Sequence, residues 1–197
     1  MAKQLDFYLD LISPFTYLAH LKLPGLAERY GYSISYHPID LPTAKKAAGN
    51  YGPSNREVPA KIKAMGQDLA RWAALYGVPM NFPKGFDAWK MNVGVFYAAA
   101  REQERAYVDA AFNMVWGDAV DPADEAALRE LATRMGWDAQ DFLEYVNSEA
   151  GEQAFEACRL QAHERGVFGA PIVMIDDQIW WGNDRLNFLE EYMQQAA

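Results

Sequence analysis

The 197-residue chain is 51% hydrophobic and 14% aromatic, which excludes global disorder and fits one large domain, or a smaller one with an insertion, at roughly 100–200 residues per domain. With 27 acidic against 18 basic side chains, a net charge of −9 and a pI near 4.8, it lacks the basic surface that duplex nucleic acid or an anionic membrane requires; a small anion in a locally basic pocket stays open. One cysteine, Cys158, excludes a disulfide framework and a multi-cysteine metal site.

The opening Met1-Ala2-Lys3-Gln4 runs directly into a strand pattern over 5–11 that contains Asp6 and Asp10, without the charged and apolar regions of a secretory signal. No apolar stretch reaches the ~18 residues of a membrane span, so the expectation is a soluble, cytoplasmic protein. Ser13-Pro14 then opens a helix, with Ser at the N-cap and Pro at the first helical position. Leu18, Leu21, Leu23, Leu26 and Ala27 give it an apolar face across Pro24, and Gly31 ends it. Residues 32–39 alternate as a second strand. Strand, helix and strand within about 40 residues make a βαβ unit with a parallel crossover.

From 44 to 165 the pattern is helical, with helices expected over 59–76, 86–104, 106–116, 122–135, 139–147 and 151–165 and cap signals at Asp121-Pro122 and Asp138. Residues 170–175 return to a buried strand, Asp176-Asp177 turns, 178–181 pairs back, and Gly182-Asn183-Asp184 caps a closing helix over 185–193. A βαβ start and a ββα end around a helical block describe an α/β, thioredoxin-like domain, 1–43 with 166–197, interrupted by an all-helical insertion, 44–165; this rests on element order.

Chemistry concentrates at a few places. In a thioredoxin-like fold Ser13 stands on a helix N-terminus, where free N–H groups and the dipole favour negative charge. Redox proteins place Cys-x-x-Cys there because that field lowers a thiol pKa. Here Ser13 and Thr16 hold both positions, which excludes dithiol chemistry and leaves a place to hold another molecule's thiolate, or simply an N-cap. Pro171, ahead of its strand, has the position of a cis-proline loop whose preceding backbone pairs with an extended ligand; the plainer reading is a strand-initiating proline. Asp184 is a helix cap or a ligand contact, beside the adjacent Trp180 and Trp181. Lys45, Lys46 and Arg56 frame a run of turn formers in an acidic chain, either a solvated loop or a carboxylate clamp in which Arg56 binds in bidentate fashion. His20, His37 and His163 have neither ligand spacing nor an acidic partner motif, so no metal site is expected. Cys158 reads as a buried structural thiol, and Asp118, Asp121, Asp124 and Glu125 as a solvated helix start.

Several of these segments together resemble one family. They are Asp6-Phe7-Tyr8, residues 13–19, the 49–56 loop Gly-Asn-Tyr-Gly-Pro-Ser-Asn-Arg, Arg71-Trp72-Ala73, Val115-Trp116-Gly117, residues 167–171 and residues 180–186. Over essentially the whole chain they are similar to the glutathione-dependent 2-hydroxychromene-2-carboxylate isomerases of bacterial naphthalene breakdown, relatives of kappa-class glutathione transferases and of the DsbA group. Ala170 stands where most relatives would carry Val. The resemblance implies glutathione as cofactor, with Ser13 holding its sulfur as the thiolate and the Ala170 backbone before Pro171 pairing with its cysteinyl part. Trp181, Gly182, Asn183 and Asp184 would hold its γ-glutamyl end. Lys45, Asn55 and Arg56 would face a small aromatic carboxylate substrate, and Phe86 would line its pocket. The implied reaction is reversible thiolate addition to a double bond conjugated to a carbonyl, rotation and elimination. A homodimer is implied by resemblance alone. The alternatives are a kappa-type transferase or peroxidase acting on another electrophile, and a non-catalytic thioredoxin-like peptide-binding module.

Overall fold

The computed structural model describes residues 3–196. Met1, Ala2 and Ala197, at the outer bounds of the first unit read from sequence, lie outside the described residues. Strand β1 (Lys3–Leu9) sits in the middle of a four-stranded sheet. It runs parallel to β2 (Tyr32–Pro38), with Phe7 opposite Tyr36, and antiparallel to β3 (Ile172–Ile175), which pairs with the antiparallel edge strand β4 (Gln178–Trp181). The order β2-β1-β3-β4 is that of the thioredoxin-like domain expected from the sequence.

A parallel β1–β2 pair needs a crossover, and here it consists of two helices. Helix α1 (Pro14–His20) stops where one continuous helix was expected, and α2 (Leu23–Tyr30) restarts with Pro24 in its first turn. Proline has no N–H to offer the preceding turn, so it suits a helix start and not an interior. Gly31 closes α2 at φ +73°, in the left-handed region that glycine enters without a Cβ penalty.

Between β2 and β3 lie α3 (Leu41–Ala47), a 3-10 turn (Asn55–Glu57), α4 (Pro59–Tyr76), α5 (Trp89–Ala99), α6 (Glu104–Phe112), α7 (Glu125–Arg134), α8 (Ala139–Val146) and α9 (Glu149–Glu164). Several expectations are corrected here. Lys45 and Lys46 form the last turn of α3, not a loop, because the Asp40 side chain caps that helix at the Thr43 N–H. Residues 78–88 are non-helical, so α5 starts at Trp89 and Phe86 lies in the segment before it. Helix α6 runs on into a π-helical turn (Asn113–Gly117), and α7 is capped by Asp124, not Asp121. A 3-10 turn (Asn183–Arg185) precedes the closing helix α10 (Leu186–Gln195), which has no side-chain cap. Asp184 is therefore not a cap; its Oδ2 pairs with Arg185 Nη1 at 2.5 Å.

One apolar core runs from the sheet into the helices, joining Phe7 and Leu9 of β1 to Met91 and Val95 of α5, Trp116 and Leu189. A smaller cluster on the other side of the sheet packs Tyr8, Ile172 and Met174 against Ile39 and Ala162. The histidines also depart from expectation, because two of them do have acidic partners. His20 Nε2 meets Asp109 Oδ1 at 2.7 Å and His37 Nε2 meets Asp6 Oδ1 at 2.9 Å. Distant segments made these pairs, so no local motif announced them. Among the described residues no helix is long and apolar enough to cross a membrane, and no cluster of three acidic, His or Cys side chains could hold a metal ion.

Cys158, on α9, is buried with its thiol directed at the Pro38 carbonyl, Sγ···O 3.5 Å. Burial disfavours the thiolate and pushes the thiol up to about 11. A thiol-specific disulfide reagent at pH 7.5 is expected to leave the folded protein unlabelled over minutes and to label one thiol in denaturant. Rapid labelling of the folded protein would contradict this placement.

Candidate functional site

The chain leaves β1 through a buried turn, and each backbone polar group of Leu11, Ile12 and Ser13 has a partner there. The Leu11 N–H donates to Asn92 Oδ1 at 3.3 Å, the Ile12 N–H to Asp10 Oδ1 at 3.2 Å and the Ser13 N–H to the Asp10 carbonyl at 2.9 Å. The Leu11 carbonyl accepts from the Trp116 indole at 2.9 Å, and the Ile12 carbonyl accepts from Arg56 Nη2 at 3.1 Å. The Ser13 carbonyl takes the Thr16 and Tyr17 amides, each at 3.1 Å. Buried backbone groups must be paired, and here α5, the π-helical turn and the 3-10 turn at Asn55–Glu57 supply the partners. The helices between β2 and β3 thus hold the turn in place.

Ser13 is 4% exposed and has the extended conformation of an N-cap. Its Oγ accepts from the Thr16 N–H at 3.3 Å and donates to the Ala170 carbonyl at 3.4 Å. The Ala170–Pro171 peptide bond is cis, as the loop reading expected. The Pro171 carbonyl accepts from the Gly182 N–H at 3.0 Å, which ties the end of β4 to this loop. Ser13, Ala170, Pro171 and Gly182 therefore form one connected surface.

The Asn183–Arg185 turn packs against α1. Gly182 has φ +104°, and a Cβ there would come within 2.5 Å of Asp184 Oδ1, so only glycine fits this bend. Asn183 is 3% exposed, and among the described residues its Nδ2 has no hydrogen-bond partner. The Thr16 Oγ1 is in the same condition. Trp181 is 57% exposed and packs edge-on to Phe168 with ring centroids 5.0 Å apart.

Arg56 lies on the other side of Ser13. Its guanidinium rests 3.8 Å above the Phe86 ring while it donates to the Ile12 carbonyl. Stacking of this kind fixes a guanidinium that would otherwise sample many rotamers. Phe86 is thus a platform under Arg56. Desolvation lowers the Arg56 pKa, opposed by the Asp10 charge. Desolvation also lowers the Lys45 pKa, with repulsion from Arg56 and Lys61 adding to it. Lys45 and Arg56 therefore form a cationic pair that is short of negative charge. Asn55 is not drawn into this group; it is exposed and its Oδ1 accepts from Lys61 Nζ at 3.1 Å.

Three residues that shape the site were not picked out from the sequence as site residues. Asp10 is 1% exposed, and its carboxylate accepts from Ile12 N, from Asn92 Nδ2 at 3.0 Å and from Leu41 N at 2.9 Å. Burial raises its pKa to about 6 against the lowering effect of these bonds. Asn92 also donates to the Ile39 carbonyl at 3.3 Å. The available signal was Asn92 itself, a polar side chain between Met91 and Val93 on an otherwise apolar stretch. Trp116 appeared only as part of a family segment.

A DSBA-like thioredoxin domain model matches residues 4–194. The chain is 54% identical to the 2-hydroxychromene-2-carboxylate isomerase of Sphingobium xenophagum, over 98% of this chain and 99% of that one. It superposes with a TM-score of 0.94 on a solved 2-hydroxychromene-2-carboxylate isomerase, 42% identical, covering 98% of this chain and 95% of that one. It is also 24% identical to the glutathione S-transferase kappa 1 of Caenorhabditis elegans, over 98% of this chain and 91% of that protein. The chain belongs to the DSBA-like thioredoxin-domain family and, within it, to the 2-hydroxychromene-2-carboxylate isomerases.

Proposed function

We propose that this chain is a glutathione-dependent isomerase that converts 2-hydroxychromene-2-carboxylate to trans-o-hydroxybenzylidenepyruvate in aromatic catabolism. One observation carries the reading: the Arg56 guanidinium is bonded to the carbonyl of Ile12, the residue immediately before Ser13, whose hydroxyl reaches the cis-proline loop at the Ala170 carbonyl. A candidate donor for a sulfur anion and a candidate cation for a carboxylate are thus attached to consecutive residues of one turn in a net acidic protein.

The residues fit glutathione. Among the described residues the Ala170 N–H donates to no protein group, which leaves it free for an extended peptide-like ligand beside the cis-proline. The buried Asn183 amide, which approaches the Tyr76 hydroxyl, would turn its Nδ2 to the ligand. When bound, glutathione would supply a thiolate that adds reversibly to the conjugated double bond and lets that bond rotate. Ser13 is suited to favour the thiolate, because its 3.4 Å contact with Ala170 is long for an O–H···O bond and is easily given up. Asp184 would face the γ-glutamyl ammonium group, sharing its charge with Arg185. Arg56 and Lys45 would hold the substrate carboxylate and oppose the negative charge that develops along the conjugated system. An anion placed there would also offset the burial, and the repulsion from Arg56 and Lys61, that lower the Lys45 pKa. This cationic pair favours the isomerase over a transferase for uncharged electrophiles.

Ser13→Ala is expected to lower kcat about 10²-fold, the usual cost of one lost anion donor, and to raise the pKa of glutathione bound to the protein. An unchanged ultraviolet titration of the bound thiol would overturn the role given to Ser13. Arg56→Ala is expected to raise KM for the carboxylate substrate about tenfold to hundredfold, from the loss of a charged hydrogen bond, while glutathione affinity holds. Equal weakening of both ligands, measured by steady-state kinetics and calorimetry, would contradict the assignment.

A further inference from the structure

One residue beyond β1, three before Ser13, stands a fully buried carboxylate, Asp10. Asp10 touches three separate pieces of the site. Its Oδ1 takes the Ile12 N–H, one residue before Ser13, and the Asn92 amide from α5. Its Oδ2 takes the Leu41 N–H at the first residue of α3, the helix that carries Lys45. The Asp10 main-chain carbonyl takes the Ser13 N–H as well.

All of the side-chain partners are donors. Three N–H groups directed at the two carboxylate oxygens favour the ionised form, which accepts from all of them and has no proton to place. Arg56, on the 3-10 turn, and Asp40, the α3 cap, are the charges that bear on it, while α5 presents the neutral Asn92. Neither cation of the clamp bonds to Asp10 directly.

This arrangement is costly. Burial raises the pKa from 3.8 to about 6. A carboxylate with a raised folded pKa adds stability below its unfolded value, and that contribution is lost as pH rises through about 6. At neutral pH the ionised side chain therefore works against folding, and groups that do so cluster where function needs them.

We propose that Asp10 is a positioning residue of the isomerase: its ionised carboxylate locks the Ser13 turn to the start of α3 and so sets the spacing between the Ser13 hydroxyl and the Lys45–Arg56 clamp. The proposal rests on the functional reading above, and its test separates the two. In the glutathione-free protein, the Ile12 and Leu41 amide proton resonances are expected to shift together on acidification with a midpoint near 6. Resonances that stay flat between pH 5 and 7.5, or titrate separately, would overturn the lock. Asp10→Asn is expected to lower kcat about tenfold to hundredfold at pH 7.5, as small misplacements of reacting groups do. The wild-type to variant kcat ratio should fall toward unity as pH drops through 6, because wild-type Asp10 is then neutral too. The thiol's own titration is common to both proteins and cancels in that ratio. A pH-independent ratio would reduce Asp10 to a structural role and overturn the proposal. Where the variant fails to fold, the wild-type amide titration decides alone. An unsubstituted protein that shows the amide titration but no isomerase activity would sink the functional reading and leave the lock standing.

Discussion

A turn buried beneath helices has no water to satisfy its amides, and residues 11–13 meet that demand from four parts of the chain. Asp10 serves the turn from within, Asn92 from α5, Trp116 from the π-helical turn and Arg56 from the 3-10 turn. An orphaned buried hydrogen-bonding group costs about 1–3 kcal/mol, so each of these contacts holds its own element against the end of β1. The helical block is therefore tied to Ser13 through specific atoms as well as through the shared apolar core.

That constraint also explains how opposite requirements coexist at the site. The proposed site would hold a thiolate and a carboxylate close together, which calls for fixed donors and cations with little competing negative charge. Ser13 would meet the first need with a hydroxyl whose acceptor among the described residues, the Ala170 carbonyl, lies at 3.4 Å. Arg56 would meet the second with a guanidinium fixed between the Phe86 ring and the Ile12 carbonyl. The nearest buried carboxylate, Asp10, is turned toward backbone amides and not toward the clamp. Cys158 stays under β2 with its thiol directed at the Pro38 carbonyl.

The sequence made the scaffold legible wherever local chemistry decides structure. Ser13-Pro14 opened α1, Gly31 closed α2, and the alternation of 32–39 marked β2, because caps, glycines and period-two patterns act over a few residues. The cis peptide ahead of β3 matches one of the two readings of Pro171, the one that depends on a thioredoxin-like setting opposite Ser13. Where tertiary contact decides, local patterning failed. Phe86 was placed in a helix, yet it lies in the non-helical segment beneath Arg56. Asp184 read as a cap but pairs with Arg185 under a glycine bend. His20 and His37 found carboxylates 89 and 31 residues away, which no local spacing encodes. Asp10 and Asn92 were missed for the same reason, since their importance lies in meeting across 82 residues.

The central claim is that Ser13 and Arg56 frame a site for a borrowed thiolate and a carboxylate substrate, and it is tested most directly by spectrophotometry. Purified protein mixed with 2-hydroxychromene-2-carboxylate should drive the spectrum rapidly to the equilibrium mixture with its trans product when glutathione is present, and leave it at the uncatalysed rate when glutathione is withheld. Equal acceleration with and without glutathione, or none in either case, would contradict it.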